Sequence, residues 1–209
     1  MTSSNMPLQP KSADAIRRQI AELVQQYAEI AHAPPVFLPG ASAVPPSGKL
    51  IGAQELKYMV EASLDGWLTT GRFNAEFEKK LANYTNSNYA VGVGNATDGL
   101  ELAWLAIGLK KGDEVIISSH TMIATASAII TAGGTPVPVD IGDDYLIDVD
   151  AVANAVTKNT VGISPTQLNG RTCDMESIMD IAKSKGLCVV EDAAQALGSK
   201  FKNQSAGTL

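Results

Sequence analysis

Apolar positions recur at helical spacing through the first third of the chain, then give way near residue 89 to short apolar runs alternating with helical stretches. Ile16, Ile20, Leu23, Val24, Tyr27 and Ile30 fall every three or four residues. Arg17, Arg18, Gln25 and Gln26 take the other side, and Ser12 stands where an N-cap belongs. This pattern predicts an amphipathic helix preceded by a loose tail over 1–11. Residues 33–50 hold five prolines, Pro34, Pro35, Pro39, Pro45 and Pro46. Proline lacks an amide hydrogen and biases its predecessor toward extended geometry, so this stretch predicts an arm. Leu56, Met59, Val60 and Leu64 mark a helix over 53–65, and Phe73, Phe77, Leu81 and Tyr84 a second over 73–84. Between them Gly66 to Gly71 reads as a loop with a glycine at each end.

From residue 89 onward strands are expected at 89–93, 114–118, 136–141, 160–165 and 187–190. Helices are expected between them, at 97–108, 121–132, 149–156 and 174–185. Strictly alternating strands and helices imply an α/β fold, a mostly parallel sheet with helices on both faces. Pro136 and Pro138 put their strand near an edge, because an interior strand needs every amide hydrogen. The organisation expected is an N-terminal helix and proline-rich arm over 1–50, followed by one body over 51–209. No internal repeat is visible.

Composition narrows the class. Apolar residues make up 45% and charged residues 18%, which suits a globular core. A net charge of −6 argues against a broad basic footprint for nucleic acid. The two cysteines cannot form a disulfide framework or an all-cysteine iron–sulfur site, and no metal site is expected. Cys173 falls in a loop and Cys188 in a strand that reads as buried. The start, MTSSNMPLQPKSAD, has no apolar signal region. The longest apolar stretch, 122–139, is broken by Gly133, Gly134, Pro136 and Pro138, which argues against a membrane span. A cytoplasmic, reducing compartment is the expectation.

Four candidate motifs follow strands, and the parallel rule puts them on one edge of the sheet. Gly94-Asn95-Ala96-Thr97-Asp98-Gly99 joins a strand to a helix start, which can hold a phosphate. The same residues also suit plain capping by Asn95 and Asp98. Gly92 and Gly94 half-match a dinucleotide fingerprint whose third glycine is replaced by Thr97. Glu191-Asp192 follows an apolar strand, where a carboxylate either caps, faces solvent, or holds a pyridinium nitrogen protonated. Ser118 to Met122 could cover a flat ligand, although His120 reads first as a hydrogen-bonded structural histidine and Met122 as a core residue. Thr166 to Arg171 could add polar contacts or form an ordinary turn.

The stretches GNATDGLELAWLAIGLKKGDEVI, SHTMIATASAI, GGTPVPVDI, QLNGRTCDM and VVEDAAQALGS, in this order and spacing, resemble the DegT-type nucleotide-sugar aminotransferases. The resemblance implies part of the large domain of a fold-type I pyridoxal-phosphate enzyme over about 50–209. It implies pyridoxal 5'-phosphate or pyridoxamine phosphate as cofactor. Ala96 and Thr97 would bind the phosphate, Asp192 the ring nitrogen and Gln195 the ring hydroxyl, and Met122 would stack on the ring. That family often has glycine at the position of Ala96 and usually an aromatic ring at that of Met122. The resemblance further implies a nucleotide-linked keto-sugar substrate, glutamate as amino donor, a homodimer, and a place in polysaccharide, lipopolysaccharide or deoxyaminosugar biosynthesis.

Residues 45–81 are similar instead to the CDP-4-keto-6-deoxyglucose dehydratase branch, which uses pyridoxamine phosphate and an iron–sulfur centre. In that branch histidine replaces the Schiff-base lysine. The lysine itself is expected downstream of the terminal AGTL, while Lys183, Lys185, Lys200 and Lys202 read as surface residues. On this reading no catalytic residue lies in the 209 residues, which alone would not transaminate. A non-catalytic partner of a longer homologue is the remaining alternative.

Overall fold

The computed structural model describes residues 12–45 and 48–209. The expected tail over 1–11 and Pro46 of the arm lie outside them. The residues up to Glu76 form one compact unit and Phe77–Leu209 a second.

In the first unit α1 spans Ala13–Ala31 and α2 spans Ala53–Asp65. Ser12 caps α1, its hydroxyl accepting from the Ala15 amide at 3.2 Å. The expected apolar stripe is only partly covered: Leu23, Tyr27 and Ile30 are exposed, and the residue that α1 buries is Ala28. The described arm residues 33–45 contain no helix or strand, as prolines at 34, 35, 39 and 45 require. Ionic contacts link the two helices. Arg17 reaches Glu61 and Asp65, each at 2.8 Å, and Arg72 reaches Asp65 at 2.7 Å and Glu61 at 3.3 Å.

The second unit is built on four parallel strands: β1 at Glu114–Ser118, β2 at Thr135–Val139, β3 at Thr160–Ser164 and β4 at Cys188–Val189. Their order is β2-β1-β3-β4. The helix α3, Arg72–Thr85, crosses into this unit, and α4 at Ala96–Ile107, α5 at Ile123–Thr131, α6 at Val149–Ala155 and α7 at Met175–Lys185 follow. A two-stranded antiparallel hairpin, β5 at Lys200–Phe201 and β6 at Gln204–Ser205, comes last.

Alternation along β1 splits the core in two. Val115 and Ile117 point to a cluster with Trp104 of α4 and Ile129 of α5, while Ile116 joins Val152 of α6 and Ile178 of α7. Helices therefore cover both faces, as the pattern predicts. The strand holding Pro136 and Pro138 is at the edge of the described sheet. The Thr135 amide donates to Asp113 of the neighbouring chain segment at 2.9 Å, so by alternation the proline nitrogens face away from β1.

Two expectations need correction. Residues 89–93 form no strand. A strand exists only as a pairing, and here no ladder reaches this segment. Tyr89 and Val91 stay 86% and 75% exposed, and the Gly92 amide donates to the Glu78 carboxylate at 2.8 Å. The cysteines are also reversed: Cys173 in the loop is buried and Cys188 in the strand is exposed. Cys173 sits under α6 and α7 in the core, while β4 is the other edge of the described sheet.

Pairing of β1 with β3 carries a bulge, and beyond it Val115 faces Gly162. A β-carbon at Gly162 would come within 2.8 Å of the Trp104 ring, which is fully buried and cannot yield. Gly162→Ala is expected to cost about 1–3 kcal/mol by overpacking, read from the midpoint of denaturant unfolding.

The first unit has its own pH dependence. Hydrogen bonds from Arg72 and then Arg17 hold the Asp65 carboxyl down at about 2. The folded value lies below the ordinary one of about 3.9, so the support is fully present above that pH and is lost as pH falls toward 2. Helicity by circular dichroism is expected to drop over this range in the native chain. In Asp65→Asn the drop should be smaller, while the part that follows protonation of Glu55, held below its ordinary value by the Gly52 amide at the start of α2, should remain.

Candidate functional site

Backbone pairing extends the sheet past its strand ends and builds the site. The Asp192 amide donates to Pro165 O and the Gln167 amide to Asp192 O, both at 2.9 Å, so these segments run side by side beyond β3 and β4. Parallel strands deliver their carboxyl ends to one edge. There Thr121 and Met122 after β1, Thr166 after β3 and Asp192 after β4 meet the start of α4.

Ala96, Thr97, Met122, Asp192 and Gln195, all five residues expected to contact the cofactor, line one pocket of about 170 Å³. Leu100, Ala124, Thr166 and Ala194 complete its wall. Asn95 caps α4 by accepting from the Asp98 amide at 3.1 Å, and its side-chain amide holds the Asp98 carboxylate at 3.0 Å. The capping reading and the anion reading are therefore compatible. Asn95 occupies the third amide of the helix, and the amides of Ala96 and Thr97 belong to the first turn, which has no intrahelical acceptor.

Asp192 is buried, with 6% exposure, and both of its oxygens accept hydrogen bonds. Oδ2 accepts from the Thr125 hydroxyl at 2.6 Å and Oδ1 from the Ala194 amide at 3.3 Å. Among the described residues no lysine, arginine or histidine pairs with it. Glu191, its neighbour, faces the other way. It accepts from the Gln167 side chain at 2.7 Å and from the amides of Gly207 at 2.8 Å and Leu209 at 2.6 Å. Of the adjacent acids, one lines the pocket and the other holds the segment that follows the hairpin.

Gln195 is oriented by the turn Leu168–Gly170. Asn169 there has φ of 53° and Gly170 φ of 79°, and the Asn169 amide donates to Gln195 Oε1 at 3.0 Å. With its oxygen engaged, the side chain keeps its NH₂ as the donor available to a ligand. Met122 is 59% exposed, and its sulfur accepts from the Ala124 amide at 3.3 Å, so it sits at the mouth as the N-cap of α5. His120 is exposed, packs edge-on against Tyr145 at 6.0 Å and is absent from the pocket lining. None of Lys183, Lys185, Lys200 and Lys202 lines the pocket; Lys202 pairs with Glu176 at 2.5 Å.

Sequence reasoning missed Thr125. It lies in the first turn of α5 among alanines and isoleucines, and nothing in its local spacing points to an acid 67 residues later. It also undervalued Gln167, which is fully buried and bridges Glu191 and the Cys173 amide, the latter donating to its Oε1 at 2.7 Å.

A pocket at the carboxyl edge of a parallel sheet, lined by a helix start and a buried acid, is the arrangement in which α/β proteins hold small ligands. The chain belongs to the DegT/DnrJ/EryC1/StrS aminotransferase family, which matches residues 49–209. It is 40% identical over 206 residues to the lipopolysaccharide biosynthesis protein RfbH of Salmonella typhimurium, covering 94% of this chain and 47% of that protein. It is 38% identical to the GDP-perosamine synthase of Caulobacter vibrioides, over 76% of this chain and 43% of that one. Among solved structures, a putative sugar aminotransferase from Streptococcus pneumoniae in its PMP form superposes with a TM-score of 0.75 at 33% identity, over 78% of this chain and 46% of that chain. The chain spans about half the length of the curated relatives it matches.

Cys173 lies directly beneath this edge, its thiol donating to Thr166 O at 3.4 Å. Burial, the largest cause, pushes the thiol up to about 11, so at pH 8 it stays protonated and covered. Native alkylation with iodoacetamide at pH 8 is expected to modify Cys188 alone, and mass spectrometry should show one adduct that becomes two after unfolding.

Proposed function

We propose that this chain forms the cofactor pocket of a pyridoxal-phosphate-dependent aminotransferase that acts on a nucleotide-linked keto-sugar in polysaccharide or lipopolysaccharide biosynthesis. The observation that carries the reading is Asp192, a buried carboxylate at the pocket wall held only by neutral donors. A buried charge without a partner is costly, and a cationic ring nitrogen is the counter-charge that this site lacks. The other lining residues fit the same group. Ala96 and Thr97 offer first-turn amides and a hydroxyl to a phosphate. The Gln195 NH₂ is left to donate to a ring oxygen, and Met122 gives a polarizable cover at the mouth.

When bound, the cofactor supplies an electron sink for chemistry at the carbon bearing the amine. The residues of this chain hold it for that purpose. Asp192 keeps a proton on the ring nitrogen by placing negative charge beside it. Gln195 would donate its NH₂ to a ring oxygen, and the start of α4 would hold the phosphate end. The support comes from membership of the family, from the PMP and PLP forms in which the Streptococcus pneumoniae neighbour was solved, and from this donor set. Glutamate as amino donor, a homodimeric assembly and a cytoplasmic location belong to the same proposal. So does the division that makes 51–209 part of the large domain.

A second reading has its own observation. Similarity to RfbH extends over 94% of the chain, against 76% for the perosamine synthase, so it takes in the N-terminal segment too. Residues 45–81, which begin in that segment and run past it, resemble the dehydratase branch. Under this reading the same pocket holds pyridoxamine phosphate for loss of a sugar hydroxyl.

Titration of the purified chain with pyridoxamine phosphate, followed by absorbance, tests the pocket. Saturable binding is expected, and Asp192→Asn should weaken it about ten- to a hundredfold, the worth of one charge-assisted contact. Unchanged affinity in that variant would sink the reading. A nucleotide keto-sugar incubated with the polypeptide and glutamate is expected to gain no amino group, because the Schiff-base lysine is expected downstream of Leu209, and an aminated product in the mass spectrum would overturn that expectation.

A further inference from the structure

Three hydroxyls stand behind Asp192 in a single file. Thr125 Oγ1 donates to Asp192 Oδ2 at 2.6 Å, Thr121 Oγ1 lies 2.7 Å from Thr125 Oγ1, and Thr166 Oγ1 lies 2.9 Å from Thr121 Oγ1. Each hydroxyl has one hydrogen, and a carboxylate can only accept. Thr125 therefore spends its hydrogen on Asp192. Thr121 must then donate to Thr125, and Thr166 to Thr121. The file runs one way, from the turn after β3, through the loop after β1 and the first turn of α5, into the acid after β4.

This is not how hydroxyls on α5 otherwise behave. Ser127 bonds back to Ala124 O at 3.2 Å and Thr131 to Ser127 O at 3.0 Å, each satisfied by its own helix. Thr125, fully buried, reaches across to Asp192 instead. The donors are also all neutral. An arginine or lysine in this place would bind the carboxylate as firmly but would cancel its charge. Three threonines hold the acid in position and leave its full negative charge to act on whatever enters the pocket.

We propose that Thr125, backed by Thr121 and Thr166, is a positioning residue that aims Asp192 at the ring nitrogen of a pyridoxal-type cofactor without neutralising it. The proposal rests on the functional reading given above, and its test uses two probes so that the two can fail separately. One probe is pyridoxamine phosphate. The other is its 1-deaza analogue, which has a CH in place of the ring nitrogen and gives Asp192 nothing to bind.

Equilibrium titrations with both probes are compared for the native chain, Thr125→Val, Thr125→Ser and Thr166→Val. The native chain is expected to prefer pyridoxamine phosphate over the analogue. Thr125→Val should lose about tenfold in affinity for pyridoxamine phosphate, the worth of one hydrogen bond to a charged group, and hold its affinity for the analogue. Thr125→Ser, which keeps the hydroxyl, should restore the preference. Thr166→Val, two links away, should lose a smaller factor and again only for pyridoxamine phosphate.

Equal losses for both probes in Thr125→Val would mark a residue that only supports the fold, and would overturn the proposal. An unchanged preference would overturn it as well. If Thr125→Val does not fold, Thr125→Ser and Thr166→Val read the same ratio, and a native-like ratio in Thr166→Val overturns the three-residue file. A native chain that shows no preference between the probes would instead refute the role of Asp192 toward the ring, and the positioning role of Thr125 would fall with it.

Discussion

Parallel pairing between the segment after β3 and the segment after β4 is the constraint on which the site depends. Two backbone hydrogen bonds, Asp192 to Pro165 and Gln167 to Asp192, carry the ladder beyond the last regular strand residues. They place Asp192 beside Thr166 and leave its side chain among the hydroxyls that gather at the same edge. Parallel strands emit all their carboxyl ends together, so the loops after β1, β3 and β4 converge without any long excursion of chain. The packing below this edge is tight. Trp104 fills the space over Gly162, and Ile116, Ile163 and Ile178 fill the other face. A rigid floor of this kind keeps the carboxylate in one place.

Electrostatics then gives the edge its character. The two adjacent acids, Glu191 and Asp192, are treated differently by their surroundings. Glu191 is surrounded by amide donors from Gln167, Gly207 and Leu209 and serves structure. Asp192 is left with one hydroxyl and one amide, which fix its geometry and leave its charge unmatched. At the opposite side of the pocket, Asn95 engages the Asp98 amide of α4, while the first-turn amides keep the partial positive charge of a helix start. A ligand with an anionic end and a cationic ring matches both ends of a space of about 170 Å³.

Much of this was legible in the sequence, for identifiable reasons. Helices α1, α2 and α3 follow apolar periodicity, a local property that needs no knowledge of distant residues. The prolines of β2 marked an edge because the missing amide is a local fact too. The misreadings share one cause. Residues 89–93 have strand-like composition, but a ladder needs a neighbour and none reaches them. Cys188 sits in an apolar run, but its strand is at an edge of the described sheet, whereas Cys173 is in a polar-looking loop folded under two helices.

What the sequence determined by itself was the alternation of strands and helices from β1 to β4, the α/β class and, through its likeness to a known family, which motifs to look for at the sheet edge. These rest on nearest-neighbour patterning and on residue identities, and both can be read along a line. Only the tertiary structure decided how the site is supported. Thr125 and Asp192 are 67 residues apart, and Thr121 and Thr166 are 45 apart. A threonine in an apolar helix looks the same whether it bonds its own backbone or reaches a buried acid. The difference lies in which strand ends the ladder brings together, a property of pairing in space that no local spacing records.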